Sequence, residues 1–293
     1  MITTLIQKRQ SPHMILVGSL RDQDPTRTVT IRNRFVADVT RRFKTVINSI
    51  KETIVTNDYF KLNKSLKTHS EALEDKESSF LSDSEKITAF LLWLSVLMSE
   101  EVLTHSFSFS YGRNQLWTDA YIYNMYERGL KQARIDLIQS GINVPEITKL
   151  STSNLGQLDL IYLRMSELLN GVVEVTKAQI ADTLTQGLIE KISNDELYTL
   201  IIDRIEKVGI TRASMNVRTE AVRAFNTATL KEFSDVADSF NVVVLVQWWT
   251  ALDEKVCGLC GPRHGKVYEI NFALSLISPH KNCRCGLLPY IRE

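Results

Sequence analysis

The chain has 293 residues, of which 44% are hydrophobic, enough for one large domain or two smaller ones with a sizeable core. A formal net charge of +1 argues against binding nucleic acid through bulk charge. No apolar run reaches membrane-spanning length and the first residues lack a signal-peptide pattern, so synthesis in a cytosol and no membrane partner are expected.

The charge is uneven. Residues 1–56 carry ten Lys/Arg against four Asp/Glu, and residues 57–110 carry five against nine. A basic arm followed by an acidic segment reads as an interaction end. Residues 1–23 show no sustained period and read as a flexible arm. Asp24-Pro25-Thr26 then signals a helix start. Phe35, Val39, Phe43, Val46, Ile47, Ile50 and Ile54 recur at helical spacing. Arg32, Arg34, Arg41, Arg42, Lys44 and Lys51 lie mostly off that stripe and read first as a solvated face. The sharper reading makes Arg41, Arg42 and Lys44 contacts to DNA phosphate or to an acidic partner.

Residues 57–84 are polar and read as a loop. Residues 85–103 form a helix apolar nearly all round, which should be buried, and residues 104–113 break it. Helical period resumes over 116–139, where Trp117, Tyr121 and Met125 read as core and not as a ligand box. Ser140-Gly141 and Pro145 end that run, and 148–157 is the expected domain seam. Two helices follow around Gly171, over 158–169 and 176–192. Another runs over 195–208 with Gly209 as its C-cap, then a long one over 211–240. The β-branched and aromatic run 241–250 is a buried strand, and 266–270 is a second strand paired with it.

All four cysteines fall in the last 43 residues: Cys257, Cys260, Cys283 and Cys285. A C-x2-C knuckle presents two thiolates from one turn, which Gly258 and Gly261 would ease by accepting positive φ. A second pair arriving from a distant turn closes a tetrahedron, the usual structural zinc design. Closure takes two of His280, Cys283 and Cys285. Cys285 is favoured, with either His280 or Cys283 beside it, and His264 is a weaker candidate. The competing readings are idle thiols and a disulfide. Confinement to one tail argues against the first, and the absence of any route to an oxidising compartment argues against the second. Four N/S ligands leave no open position, so the expected zinc is structural.

Upstream, Arg218, Glu220, Arg223 and Asn226 share a helix, and Asp253 follows the strand. Without a nucleophile beside it, this group reads as a polar clamp of Arg218, Glu220, Arg223 and Asp253. The fold class is therefore mainly α: a multi-helix N-terminal and central region, then a small α+β zinc-knuckle module. The expected division is an arm over 1–23, a helical domain over 24–150 and a C-terminal domain over 151–293, with the zinc module at 241–293.

Several of these residues stand in a familiar order. They are Arg218-Thr219-Glu220, Arg223-Ala224, Trp249-Thr250-Ala251 with Asp253, Val256-Cys257 with Cys260, Gly265, and Pro279-His280 with Cys283-Arg284-Cys285. Earlier, Asp24-Pro25-Thr26, Arg34-Phe35, Arg41-Arg42-Phe43, Trp117-Thr118 and Tyr126 with Arg128-Gly129 agree. Together they resemble the tailed-phage minor head proteins with a Mu F-like head morphogenesis domain. The sequence departs at Leu252, where glycine is common, and at Arg263-His264. The resemblance implies a virion protein of the head interior or portal vertex, found in host cytoplasm during assembly. Its implied partners are the portal protein, major capsid or scaffold proteins, and double-stranded DNA. It transfers no enzymatic residue, so a non-enzyme is expected. The alternative is a metal-dependent nuclease using His264 or His280, but the ββα nuclease arrangement needs a helix after its last metal-binding segment, and Pro289 lies in the short stretch that follows Cys285.

Overall fold

The computed structural model describes residues 24–62, 83–108, 113–145 and 150–291. The proposed arm, and most of the polar stretch 57–84, lie outside the described residues. The structure is mainly α, with a three-stranded sheet in the C-terminal region. It packs into two compact units, each assembled from separated stretches. That partition cuts across the contiguous segments 24–150 and 151–293 read from the sequence.

One unit comprises Val36–Trp117 and Ser166–Met215. It takes in most of α1 (Val29–Lys51), a π-helical turn at Glu52–Thr56, α2 (Asp83–Glu101), and a hairpin of β1 (His105–Ser108) and β2 (Arg113–Leu116). It also holds the later part of α4 (Thr152–Glu190), α5 (Asn194–Arg204) and a second π-helical turn at Ile205–Ile210. The stripe read from the sequence is the buried one: Val39, Phe43, Val46, Ile50 and Ile54 are fully covered. Phe60 packs on Phe90 with ring centroids 5.5 Å apart. Ser193 caps α5 by accepting from the Glu196 N–H at 3.3 Å.

Three expectations fail in this region. Gly171 does not separate two helices, because α4 runs unbroken through it. A Cβ there would meet nothing within 4 Å, and one glycine costs a long helix only about 1 kcal/mol. Gly209 is not a C-cap either. It lies inside the π-helical turn that joins α5 to the long helix beginning at Thr211, and its missing side chain leaves room for Phe43, whose ring carbon would stand 2.7 Å from a Cβ. Finally, Arg42 does not belong to a solvated face. Its Nη1 donates to the Glu101 carbonyl at 2.7 Å, and its guanidinium lies 4.4 Å over the Trp117 ring. The same holds in the other unit for Arg32, which is buried against Asp24 at 2.8 Å. Long cationic side chains lie along apolar surface while their heads find carbonyls or carboxylates, so distance from the stripe does not make them solvated.

The other unit comprises residues up to Phe35, Thr118–Met165 and Asn216–Glu293. Here α3 (Asp119–Gln139) meets α6 (Thr211–Phe240) at Gly129, where a Cβ would fall 2.3 Å from the Phe225 carbonyl oxygen. The sheet has the order β4-β3-β5, with β3 (Val244–Trp249) in the centre, antiparallel to β4 (Val267–Glu269) and β5 (Gly286–Ile291). The two expected strands are present and paired as expected. β5 and the short helix α7 (Ile270–Leu276) were not expected. Val246, Trp248 and Leu287 bury one face of the sheet together with Phe233, Ala273 and Ile277 and three of the four cysteines.

Candidate metal centre

Two loops present the donors. The first leaves β3 and turns at Asp253, where the Val256 N–H returns to the Asp253 carbonyl. The Cys260 and Gly261 N–H groups both donate to the Cys257 carbonyl, at 3.1 and 2.9 Å, which folds the knuckle and runs it into a 3₁₀ turn at Gly261–Arg263. Contrary to expectation, neither Gly258 nor Gly261 has positive φ; the glycine that needs it is Gly265, at 74°. Leu252 also lies in the left-handed region, at 50°. That is a conformation glycine adopts without penalty and leucine does not, so the departure from glycine there is a local strain borne by an exposed side chain.

The second loop follows α7 and carries His280, Cys283 and Cys285. Ser278 and Asn282 take positive φ, at 46° and 60°, and bend it back over the knuckle. His280 Nε2 lies 3.1 Å from Cys257 Sγ and 3.2 Å from Cys260 Sγ, and Cys260 Sγ lies 4.0 Å from Cys283 Sγ. Two sets of three donors, Cys257 with Cys260 and His280, and Cys260 with Cys283 and Cys285, each lie within 4.8 Å of one another. Cys260 belongs to both.

All four thiols are free. A disulfide needs sulfurs about 2.05 Å apart, half the Cys260–Cys283 separation. Ligands around one zinc stand about 3.5–3.8 Å from each other, given its usual bond lengths and tetrahedral angle, and the separations of 3.1, 3.2 and 4.0 Å bracket that range. A cleft of about 20 Å³ opens beside Cys257, Cys260, His280 and Cys285. That is room for one water-sized body, far below the hundreds of Å³ of a substrate pocket. The donors therefore fit a soft divalent cation.

Protons in the cluster are unevenly held. S–H bonds from Cys260 and Cys285 pull Cys283 down to about 3 against the effect of burial. Cys260, donating to Cys283 and Cys285, is pushed up. Cys285 accepts from Cys260, but its bond to Cys283 and its burial outweigh that and raise it to about 12. Burial raises Cys257, yet backbone N–H groups of Cys260 and Leu259 and the neighbouring His280 bring it below the ordinary thiol value. The cluster thus favours thiolate at Cys257 and Cys283 and thiol at Cys260 and Cys285; a metal requires the thiolate form of each sulfur it takes.

His264 stands apart from these donors. Its Nδ1 lies 3.0 Å from Thr250 Oγ1 and 3.2 Å from the Thr250 N, and its ring packs 4.5 Å from Trp249. It fastens the end of β3. The polar clamp also divides differently from the single cluster read in the sequence. Glu220, fully buried, has Arg164 Nε at 3.1 Å and Arg223 Nε at 3.3 Å. Asp253 instead accepts a bidentate pair from Arg284 at 2.7 and 2.6 Å. Those bonds hold Asp253 below the usual carboxylate range. Arg218 is half-buried, near enough to Arg32 to disfavour its charge. Sequence reading assigned no role to Arg164 and Arg284, because their partners lie 56 and 31 residues away and no local spacing marks such pairs.

No curated protein and no solved structure matches the chain. Residues 178–288 match the family model described as Phage Mu protein F like protein. The matched segment carries every donor of this centre.

Proposed function

We propose that the protein is a minor head protein of a tailed phage, a non-enzymatic assembly factor that docks at the portal vertex inside the head. The observation that carries this reading is the Mu F-like match over 178–288, which spans the whole Cys/His set. Cys257, Cys260, His280 and a thiolate from Cys283 or Cys285 would hold a structural zinc. Bound there, zinc supplies a rigid crosslink between two turns and no nucleophile, since four N/S ligands leave no open position. A three-stranded sheet this small gains stability it could not find in its own burial.

The partners on this reading are the portal protein, capsid or scaffold proteins, and packaged double-stranded DNA. For DNA, the exposed Arg41 and Lys44 of α1 are the residues to meet phosphate, while Arg42 is engaged by Trp117 and Glu101. The nuclease alternative loses support from two observations. His264 is held at Thr250, away from the thiols, and β5, not a helix, follows Cys285. No described helix is long and apolar enough to cross a membrane.

Co-expression with a portal ring tests the proposal. Stable co-purification is expected, with no cleavage of duplex DNA in Mg²⁺ or Mn²⁺ and salt-sensitive DNA retention that weakens in the Arg41→Ala/Lys44→Ala pair. Efficient cleavage lost in His280→Ala would overturn it in favour of a nuclease.

A further inference from the structure

Four polar side chains on one face of α6 reach the loop that presents His280, Cys283 and Cys285. Asn216 Oδ1 accepts from Lys281 Nζ at 2.8 Å. Thr219 Oγ1 accepts from the Asn282 backbone N–H at 2.9 Å. Arg223 Nη2 donates to the Ser278 carbonyl at 3.3 Å. Asn226 Nδ2 donates to the Cys285 carbonyl at 2.8 Å. Steps of three, four and three residues put 216, 219, 223 and 226 on a single stripe of a helix. Asn216, Thr219 and Asn226 are buried. Buried polar side chains on a helix are costly unless each finds a partner, and here each finds one in the same eight-residue loop.

The bonds fall where the loop needs fixing. Ser278 and Asn282 are its two residues at positive φ, which non-glycine residues reach only against steric resistance. Arg223 and Thr219 tie down those two residues. Asn226 then fixes the backbone of Cys285 itself. Within the loop, His280 Nδ1 lies 2.8 Å from the Lys281 carbonyl. A carbonyl only accepts, so Nδ1 carries a proton, and Nε2, which faces the two knuckle sulfurs, is the nitrogen left to bind a metal. Metal-binding histidines are ordinarily oriented by such a bond.

We propose that this stripe of α6 is a template that holds residues 278–285 in their ligand-presenting form. Asn226 and Thr219 are then positioning residues for metal affinity although neither offers a ligand atom to the cluster. The inference rests on the reading of the cluster as a metal site.

Its test is a metal titration of the full chain, reduced, with Zn²⁺ against a chromophoric chelator and with Co²⁺ read by its thiolate charge-transfer and d–d bands. Thr219→Val, which keeps shape and removes the acceptor, and Asn226→Ala are each expected to weaken Zn²⁺ binding by about 10- to 100-fold and to alter the Co²⁺ bands. Thr219→Ser should restore wild-type binding. Thr229→Ala is the control, since Thr229 is buried on the same helix and bonds the helix's own Phe225 carbonyl at 3.0 Å; its affinity should not change. Wild-type affinity in both Thr219→Val and Asn226→Ala would overturn the template, as would an equal loss in Thr229→Ala. A wild-type chain that binds no metal would instead bring down the metal reading, and the template with it.

Discussion

At the scale of single residues, two positions show which effect wins. Gly129 sits inside α3, where alanine would ordinarily gain about 1 kcal/mol of helix propensity. A Cβ there would stand 2.3 Å from the Phe225 carbonyl oxygen and 2.9 Å from Ala228 Cβ. Overpacking of this kind costs about 1–3 kcal/mol or more, and the obstacle is backbone, which cannot rotate away. With a backbone obstacle the upper end of that cost applies, so Gly129→Ala is expected to lower stability by about 2 kcal/mol net, measured by urea denaturation; an unchanged or higher midpoint would contradict the close approach. The second position is Glu232, 2% exposed, with Arg134 Nε 2.8 Å from its carboxylate. Desolvation outweighs the attraction of Arg134, so its pKa is raised. A raised folded-state pKa means the group's contribution to stability is fully present below its unfolded value, about 4.3, and is lost as pH rises through the folded value. Relative to Glu232→Gln, the wild type should then gain thermal stability as pH falls from neutral toward the unfolded value of about 4.3. A difference in Tm that stays constant over that interval, or grows the other way, would show that the ion pair prevails.

At the scale of elements, the sequence was informative where a period or spacing carried the signal. The apolar stripe of α1, the long α6, and the β-branched run of β3 all declared themselves through the side chains they bury. The donor set was legible for the same reason, since two short cysteine motifs 22 residues apart leave few other uses. What failed to show was structure fixed from outside the segment. β5 contains Pro289, which inside a sheet would remove a ladder hydrogen bond, yet β5 is an edge of the sheet, the place where a missing N–H is tolerated. The π-helical turn at Ile205–Ile210 has no sequence signature, so Gly209 read as a stop when its role is to admit the Phe43 ring. The template on α6 was half seen: Arg223 and Asn226 were grouped with Asp253, when their partners lie in the ligand loop. Because β3, β4 and β5 share a core with three of the cysteines, loss of the metal should release this sheet before the helices. Hydrogen exchange with excess chelator is expected to deprotect 244–249 and 286–291 first, with α1 still protected. Simultaneous loss throughout, or no loss in the sheet, would contradict that order.

At the scale of the whole molecule, the chain is a mainly helical protein with a small sheet and a Cys/His centre in its C-terminal region, and residues 178–288 match the Mu F-like family model. Net charge near neutrality leaves recognition to particular surfaces, which suits a component that docks within an assembly. The account depends most on the centre being a crosslink made by a metal. Elemental analysis of the full chain, freshly purified under reducing conditions, tests this most directly. The account predicts about one zinc per chain, reduced to background in Cys260→Ser, which removes the sulfur common to both donor sets. Metal near zero in the wild type, with the three-stranded sheet as well protected from exchange as in zinc-supplemented protein, would contradict it.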